Sequence, residues 1–224
     1  MLSQSITKYF ALLTCACSLL ATPAQAAVTQ LSFQPSPADL GGLDHHFVYS
    51  WNINSPSLTN ISVTSASLSF KNIANWDSNP NMLFVWLMDT SVHPGVATVQ
   101  DVNANQAPVT DIADAFLNPI SLVANGTAKT KLFQKSFTTT PTNYTFNFDA
   151  NQLGILQTYI NNGHDIAFGF DPDCHFFNDG ITFTLNCTPV PEVTTMIPVA
   201  GFLALVIATE IRRRRRLQLV PVRG

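Results

Sequence analysis

Between residues 27 and 190 the chain has no glutamate and no arginine. Twelve aspartates oppose four lysines there (Lys71, Lys129, Lys131 and Lys135), so this segment carries eight net negative charges while the whole chain carries a formal −3. The difference arises because six of the eleven basic residues are arginines near the C-terminus. An acidic surface repels phosphate backbones, which argues against a nucleic-acid partner. Glycine loops that cradle phosphate and the Gly-x-Ser-x-Gly elbow of a serine hydrolase are both missing. No catalytic residue is therefore assigned, and the chain is read as a non-enzyme. The alternative class is a secreted hydrolase of extracellular glycans that works with paired aspartates.

Long apolar runs are also scarce, and the two that stand out lie at the ends. Residues 1–26 hold one basic side chain, Lys8, then an apolar stretch over 9–21, then Ala24-Gln25-Ala26. That order is a secretory signal peptide, with cleavage expected after Ala26. The stretch is too short for a helix to span a hydrocarbon core of about 30 Å. At the other end an uncharged run over 197–209 is followed by Glu210, Ile211 and the cluster Arg212, Arg213, Arg214, Arg215 and Arg216. A hydrophobic helix is expected over about 195–211, marginal for spanning because a crossing takes about 20 residues. The arginines would hold a cytoplasmic stub, 217–224, inside and leave the preceding domain outside.

Pro191 and Glu192 stand just ahead of this run. Pro191-Glu192, a short hydrophobic helix and an arginine cluster, in that order, resemble the C-terminal sorting signal of the PEP-CTERM family of exosortase substrates. Val193 occupies the third signature position, where the family carries proline. The resemblance covers residues 190–216. It implies an exosortase-type processing enzyme as partner and a precursor held in the inner membrane by its C-terminal helix. The domain would face the periplasm, and the mature form would be released to the cell surface or secreted. A periplasmic protein kept permanently on that helix is the other reading.

Cysteine is sparse as well. Of four, Cys15 and Cys17 fall in the signal peptide, leaving Cys174 and Cys187 in the exported part. Export to an oxidising compartment makes these two an expected disulfide. It would close a short loop and contribute about 3 kcal/mol in the chain-entropy model.

What remains, residues 27–189, has the size of one domain. It is rich in Thr, Ser, Asn and Phe and poor in helix-favouring charged residues, a composition suited to sheet. Period-two alternation marks Phe47, Tyr49, Trp51 and Ile53 against Val48, Ser50 and Asn52, then Ala66, Leu68 and Phe70. The same pattern recurs in Tyr144, Phe146 and Phe148, in Ile166, Phe168 and Phe170, and in Ile181, Phe183, Leu185 and Cys187. Residues 82–88 are apolar on both faces, as in a central strand. Asn178-Asp179-Gly180 predicts a hairpin turn between the last two segments. Leu153, Leu156, Tyr159 and Ile160 recur at helical spacing, with Asp149 and Gln152 placed to cap the start and Gly163 the end. The expected fold is an all-β antiparallel sandwich, jelly-roll-like, with one short crossover helix.

Two polar clusters invite chemistry. Asp171, Asp173, Asn178 and Asp179 lie within ten residues and offer oxygen ligands to calcium, the one cofactor considered. The same residue types also dominate ordinary turns. Asp39, Asp44, His45 and His46 precede the Phe47 strand. Adjacent residues on a strand point to opposite faces, so only one of these histidines is expected to join any zinc or acid–base site. Leu43-Asp44-His45 and the Asp171-Pro172-Asp173-Cys174-His175-Phe176-Phe177-Asn178-Asp179-Gly180 stretch also resemble pieces of uncharacterised PEP-CTERM β-domains. Trp51 and Trp86 alternate with core positions and read as packing. Trp76, in a polar loop beside Asp77, is the candidate for ligand contact. A noncatalytic protein of the cell surface or extracellular matrix, able to bind exopolysaccharide, is the function these features imply.

Overall fold

The computed structural model describes residues 27–101, 114–190 and 205–213. The expected signal peptide over 1–26, Pro191, Glu192, Arg214, Arg215, Arg216 and the expected stub over 217–224 lie outside the described residues. Of the C-terminal run, 205–213 are α-helical and end on Arg212 and Arg213. Among the described residues no helix is long and apolar enough to cross a membrane.

Among the described residues ten strands follow in order: β1 (Thr29–Phe33), β2 (Phe47–Asn54), β3 (Ile61–Asn75), β4 (Met82–Met88), β5 (Gly95–Gln100), β6 (Lys129–Ser136), β7 (Thr142–Asn147), β8 (Asp165–Pro172), β9 (Phe176–Phe177) and β10 (Ile181–Pro189). One helix, α1 (Ala150–Gly163), links β7 to β8, and short 3₁₀ turns occupy Pro56–Leu58 and Ala115–Leu117. The strands form two antiparallel sheets. The first runs β1-β10-β3-β7 with β9 on the far end of β3, and the second runs β5-β2-β8-β4-β6.

The expected alternation builds the interface between them. Leu68, Phe70, Phe183 and Leu185 of the first sheet and Trp51, Val85, Phe168 and Phe170 of the second are all buried in one core. Rings meet across it: Phe70 and Phe170 lie 6.2 Å apart, edge-on at 81°, and Phe168 lies 5.0 Å from Phe183, tilted by 60°. Burying a side chain of this size contributes roughly 1.5–3 kcal/mol, so the sandwich rests on this layer.

The second sheet is buried on its outer face too, which alternation in β2 did not suggest. Val48 and Ser50, on the face opposite Tyr49, Trp51 and Ile53, are fully buried. Segment 115–123 folds over them, so that Val48, Trp86, Met88 and Ala167 pack with Phe116 and Leu122 in a second cluster. Gly169 makes this possible, because a Cβ there would collide with the Phe116 ring. Beneath the cover Asp114 accepts from Trp86 Nε1 at 3.0 Å and pairs with Lys131 Nζ at 2.7 Å. Lys129, Lys131 and Lys135 line the edge strand β6, where charge discourages pairing with another chain.

Helix α1 starts as expected, with Asp149 and Gln152 forming a reciprocal capping box. Its left-handed terminal residue is His164, one position beyond Gly163. On the inner side Leu156, Tyr159 and Ile160 are buried, while Gln157 holds both the Val63 N–H and the Ile61 carbonyl at the start of β3.

The expected hairpin across Asn178-Asp179-Gly180 is not formed. β8 belongs to the second sheet and β10 to the first, and the chain crosses between them. β9 and β10 both pair with β3, so the turn residues interrupt a single ladder. At the interruption Lys71 N–H donates to Gly180 O (2.9 Å) and Asp179 N–H to Lys71 O (2.8 Å), beside Asn72 in a left-handed conformation. Asn and Asp serve a kink here as well as they serve a hairpin, because both tolerate such backbone and bond it locally.

Candidate functional site

The two polar clusters, more than 120 residues apart in sequence, are joined by one backbone bridge. Leu43 N–H donates to Phe176 O (3.3 Å) and Phe176 N–H to Leu43 O (2.8 Å), with both side chains fully buried. A third segment is added by Trp76, whose N–H donates to His175 O at 2.9 Å. Asp44, His45 and His46 thus share one end of the first sheet with Trp76, His175 and Phe177.

The 42–46 loop is held from below. The buried Tyr49 hydroxyl accepts the Asp44 N–H (2.8 Å) and donates to Gly42 O (2.7 Å). Gly42 has φ +83°, a left-handed backbone that glycine adopts without strain, and it lies beside the His175 ring. His45 and His46 lie in the turn that enters β2 and not in the strand itself. Their rings therefore do not diverge: the centroids are 3.9 Å apart, and both Nδ1 atoms face Asp44 Oδ1, at 3.5 Å for His45 and 2.8 Å for His46. The expectation that only one histidine could join a site is corrected by this turn.

Partial burial would raise the Asp44 pKa, yet the His46 N–H, the His46 ring and the charges of both histidines together lower it. Burial lowers that of His45, with the neighbouring charges of His46 and His175 adding to the effect and Asp44 opposing it. Among the described residues, Asp44, His45 and His46 are the group of three whose ligand atoms all lie within 4.8 Å of one another.

Beside this cluster stands a shelf of rings. Trp76 is 64% exposed and Phe177 47%. Trp76 lies 6.0 Å from His175 and 5.9 Å from Phe177, and His175 and Phe177 are 4.5 Å apart, all tilted and mutually in contact. Asp77, paired with Trp76 in the sequence reading, is occupied within its own loop. Its carboxylate accepts from Asn79 N–H and Nδ2 and from Asn81 Nδ2. It shapes the loop that presents Trp76.

The four residues considered for calcium do not converge. Asp171 accepts the Ala115 N–H under the cover of the second sheet, and Asp173 accepts the Met82 N–H. Asn178 bonds Asp39 O and Gly180 N–H, and Asp179 takes Asn72 Nδ2 at 2.6 Å. Each carboxylate is directed to a different backbone or side-chain donor, as turn residues are. Burial, with the charges of Asp101, Asp114 and Asp173 adding, pushes Asp171 up to about 7 against the pull of the Ala115 N–H. Burial pushes Asp173 up to about 6.

The expected disulfide is also corrected: Cys174 and Cys187 are separate thiols. Cys187 pairs with Val63 on β3, whereas His175, next to Cys174, bonds the backbone of Trp76. Those positions are thirteen residues apart along one strand, roughly 40 Å at 3.3 Å per residue, and a disulfide requires Cα atoms within about 7 Å. No family model matches the chain. No curated protein matches it significantly either.

His175 and Phe177 were not singled out from the sequence as site residues. The signal available was the run of two phenylalanines inside the second polar cluster, since one of them, Phe176, is buried and its neighbours His175 and Phe177 are carried towards the surface.

Proposed function

We propose that this protein is exported, sorted by its C-terminal segment as a PEP-CTERM-like exosortase substrate, and serves as a noncatalytic polysaccharide-binding protein of the cell surface or extracellular matrix. The observation that carries the binding part is the exposed shelf of Trp76, His175 and Phe177. Exposed aromatic rings offer flat apolar faces to the C–H faces of sugars, and leaving them in water without such a partner gains the fold nothing. The order Pro191-Glu192, apolar segment and arginine cluster supports the sorting part. The jelly-roll reading is supported by strand order: β1-β10-β3-β7 facing β2-β8-β4-β6 is the order in which a strand ribbon folded back on itself divides between two sheets, with β5 added at an edge. A hydrolase working through Asp171 and Asp173 gains no support, since both carboxylates are engaged with backbone amides.

The test is binding of the full-length chain to a glycan array and to exopolysaccharide from its host. Trp76→Ala is expected to weaken the bound glycan at least about tenfold, in line with loss of an aromatic anchor. Binding that is unchanged by Trp76→Ala and Phe177→Ala, or hydrolysis of the glycan, would overturn the reading.

A further inference from the structure

The geometry points to a divalent transition-metal site, zinc in first place, formed by Asp44, His45 and His46 on the turn into β2. Two imidazoles and one carboxylate are a donor set that suits zinc and its first-row neighbours, and it leaves a position for water or a ligand. Calcium, which takes six to eight oxygens, is poorly served by it.

The three ligand atoms already lie within 4.8 Å of one another. Tetrahedral zinc with bonds of about 2.0 Å places its ligands about 3.3 Å apart, a closure that side-chain rotation can supply. The support around the ligands is already in place. Tyr49 pins the Asp44 N–H, the Leu43–Phe176 bridge fixes the chain just ahead of it, and the His46 N–H donates to Asp44 Oδ1 at 3.0 Å. Metal sites depend on such outer contacts to hold their ligands in position.

An ordinary turn would account for part of this arrangement. Asp44 bonding the N–H two residues on is a common device for entering a strand, and the His46 ring could simply accompany it. That account leaves His45 unexplained. Its Nδ1 is buried and has no hydrogen-bond partner, although it faces a carboxylate oxygen 3.5 Å away. A buried imidazole nitrogen without a partner is costly in a fold that gains nothing from it, and a metal ion between the ring and Asp44 would satisfy it.

The test uses the untagged full-length chain, stripped with chelator and titrated with zinc chloride by calorimetry, and with cobalt(II) by visible absorption. One equivalent of zinc should bind, and cobalt should give the intense spectrum of a four- or five-coordinate ion. Asp44→Asn, His45→Ala and His46→Ala should each weaken zinc at least about tenfold, while His93→Ala, in a distant loop, should not. Far-UV circular dichroism of each metal-free variant confirms the fold. If a variant does not fold, the cobalt spectrum of the parent decides, since the weak spectrum of the hydrated ion would mean that no such site exists. Absence of zinc binding, or binding retained by a His45→Ala/His46→Ala double variant, overturns the proposal. No sugar enters these titrations, so the result is independent of the glycan reading.

Discussion

Leu43 and Phe176 exchange both backbone hydrogen bonds and are both fully buried, so this residue pair, together with the Asn178 Nδ2 bond to Asp39 O, fastens the loop before β2 to the crossover between the sheets. Their neighbours reach the surface together: Asp44 and His45 after Leu43, and His175 and Phe177 on either side of Phe176. The packing and the candidate site are therefore one construction, since the contact that closes the core also assembles the cluster above it.

Truncating that contact should be costly for both. Leu43→Ala is expected to destabilise the fold by about 2–5 kcal/mol, the range for removing a buried leucine and leaving part of its cavity. Urea denaturation read by tryptophan fluorescence measures it. A loss below about 0.5 kcal/mol, the scale of a surface change, would mean that the bridge does not organise this end of the sheet.

The cysteines give a second prediction. A chain beginning at residue 27, denatured and unreduced, should react with two equivalents of thiol reagent, one from Cys174 and one from Cys187. Cys187 is buried beside β1 with its Sγ 3.6 Å from Thr29 O, and Cys174 is only partly covered. In the folded protein Cys174 should accordingly react first. Failure to find free thiols after denaturation would restore the bridge and require β10 to run differently.

The outcome for the cysteines marks where sequence reasoning stopped. Period-two alternation identified the strands from Phe47 to Ile53 and from Ile181 to Cys187, because the burial rule behind it is local. The capping box of α1 was legible for the same reason, with both partners only three residues apart. Which sheet each strand joins is not local. Asn178-Asp179-Gly180 suits a hairpin and a ladder interruption equally, and only the placement of β8 and β10 in different sheets decides between them. The sulfur separation, the dispersal of the calcium candidates and the approach of Leu43 to Phe176 all depend on that one assignment. The covered outer face of the second sheet was hidden for another reason. Phe116 and Leu122 lie in a stretch without strand periodicity, so nothing in β2 announced that Ser50 would be buried.

Asp171 should make stability depend on pH. It is 2% exposed, and its pKa rises to about 7 in the folded state, above an unfolded value of about 3.9. The folded protein therefore holds a proton that the unfolded chain releases. Stabilisation from this group is complete below about pH 4 and is lost as pH rises through about 7. Asp173, raised to about 6, acts in the same direction over a lower range. Asp171→Asn keeps an oxygen for the Ala115 N–H without the charge, and should raise stability at pH 8 by about 1–3 kcal/mol with little effect at pH 4. Melting temperatures of both proteins from pH 4 to 8 test this. Parallel curves for parent and variant would place the titrating group elsewhere.

The last prediction concerns the C-terminal segment, the part that determines where the domain above would work. If the arginine cluster and the hydrophobic run are a sorting signal, they belong to the precursor alone. Mass spectrometry of protein from a host that has an exosortase should then find a C-terminus near Pro191, with Arg212 and Arg213 gone. The charge would change sharply with that cut, because residues 27–190 contain no arginine and hold twelve aspartates against four lysines. Native isoelectric focusing should show the mature form well below the precursor, whose sequence pI is about 5.9. Restoring proline at Val193 should speed the conversion if the signature is what the processing enzyme reads. An intact tail in such a host would instead favour a permanent anchor, and the acidic domain with its aromatic shelf would then act in the periplasm, on glycans that reach it there.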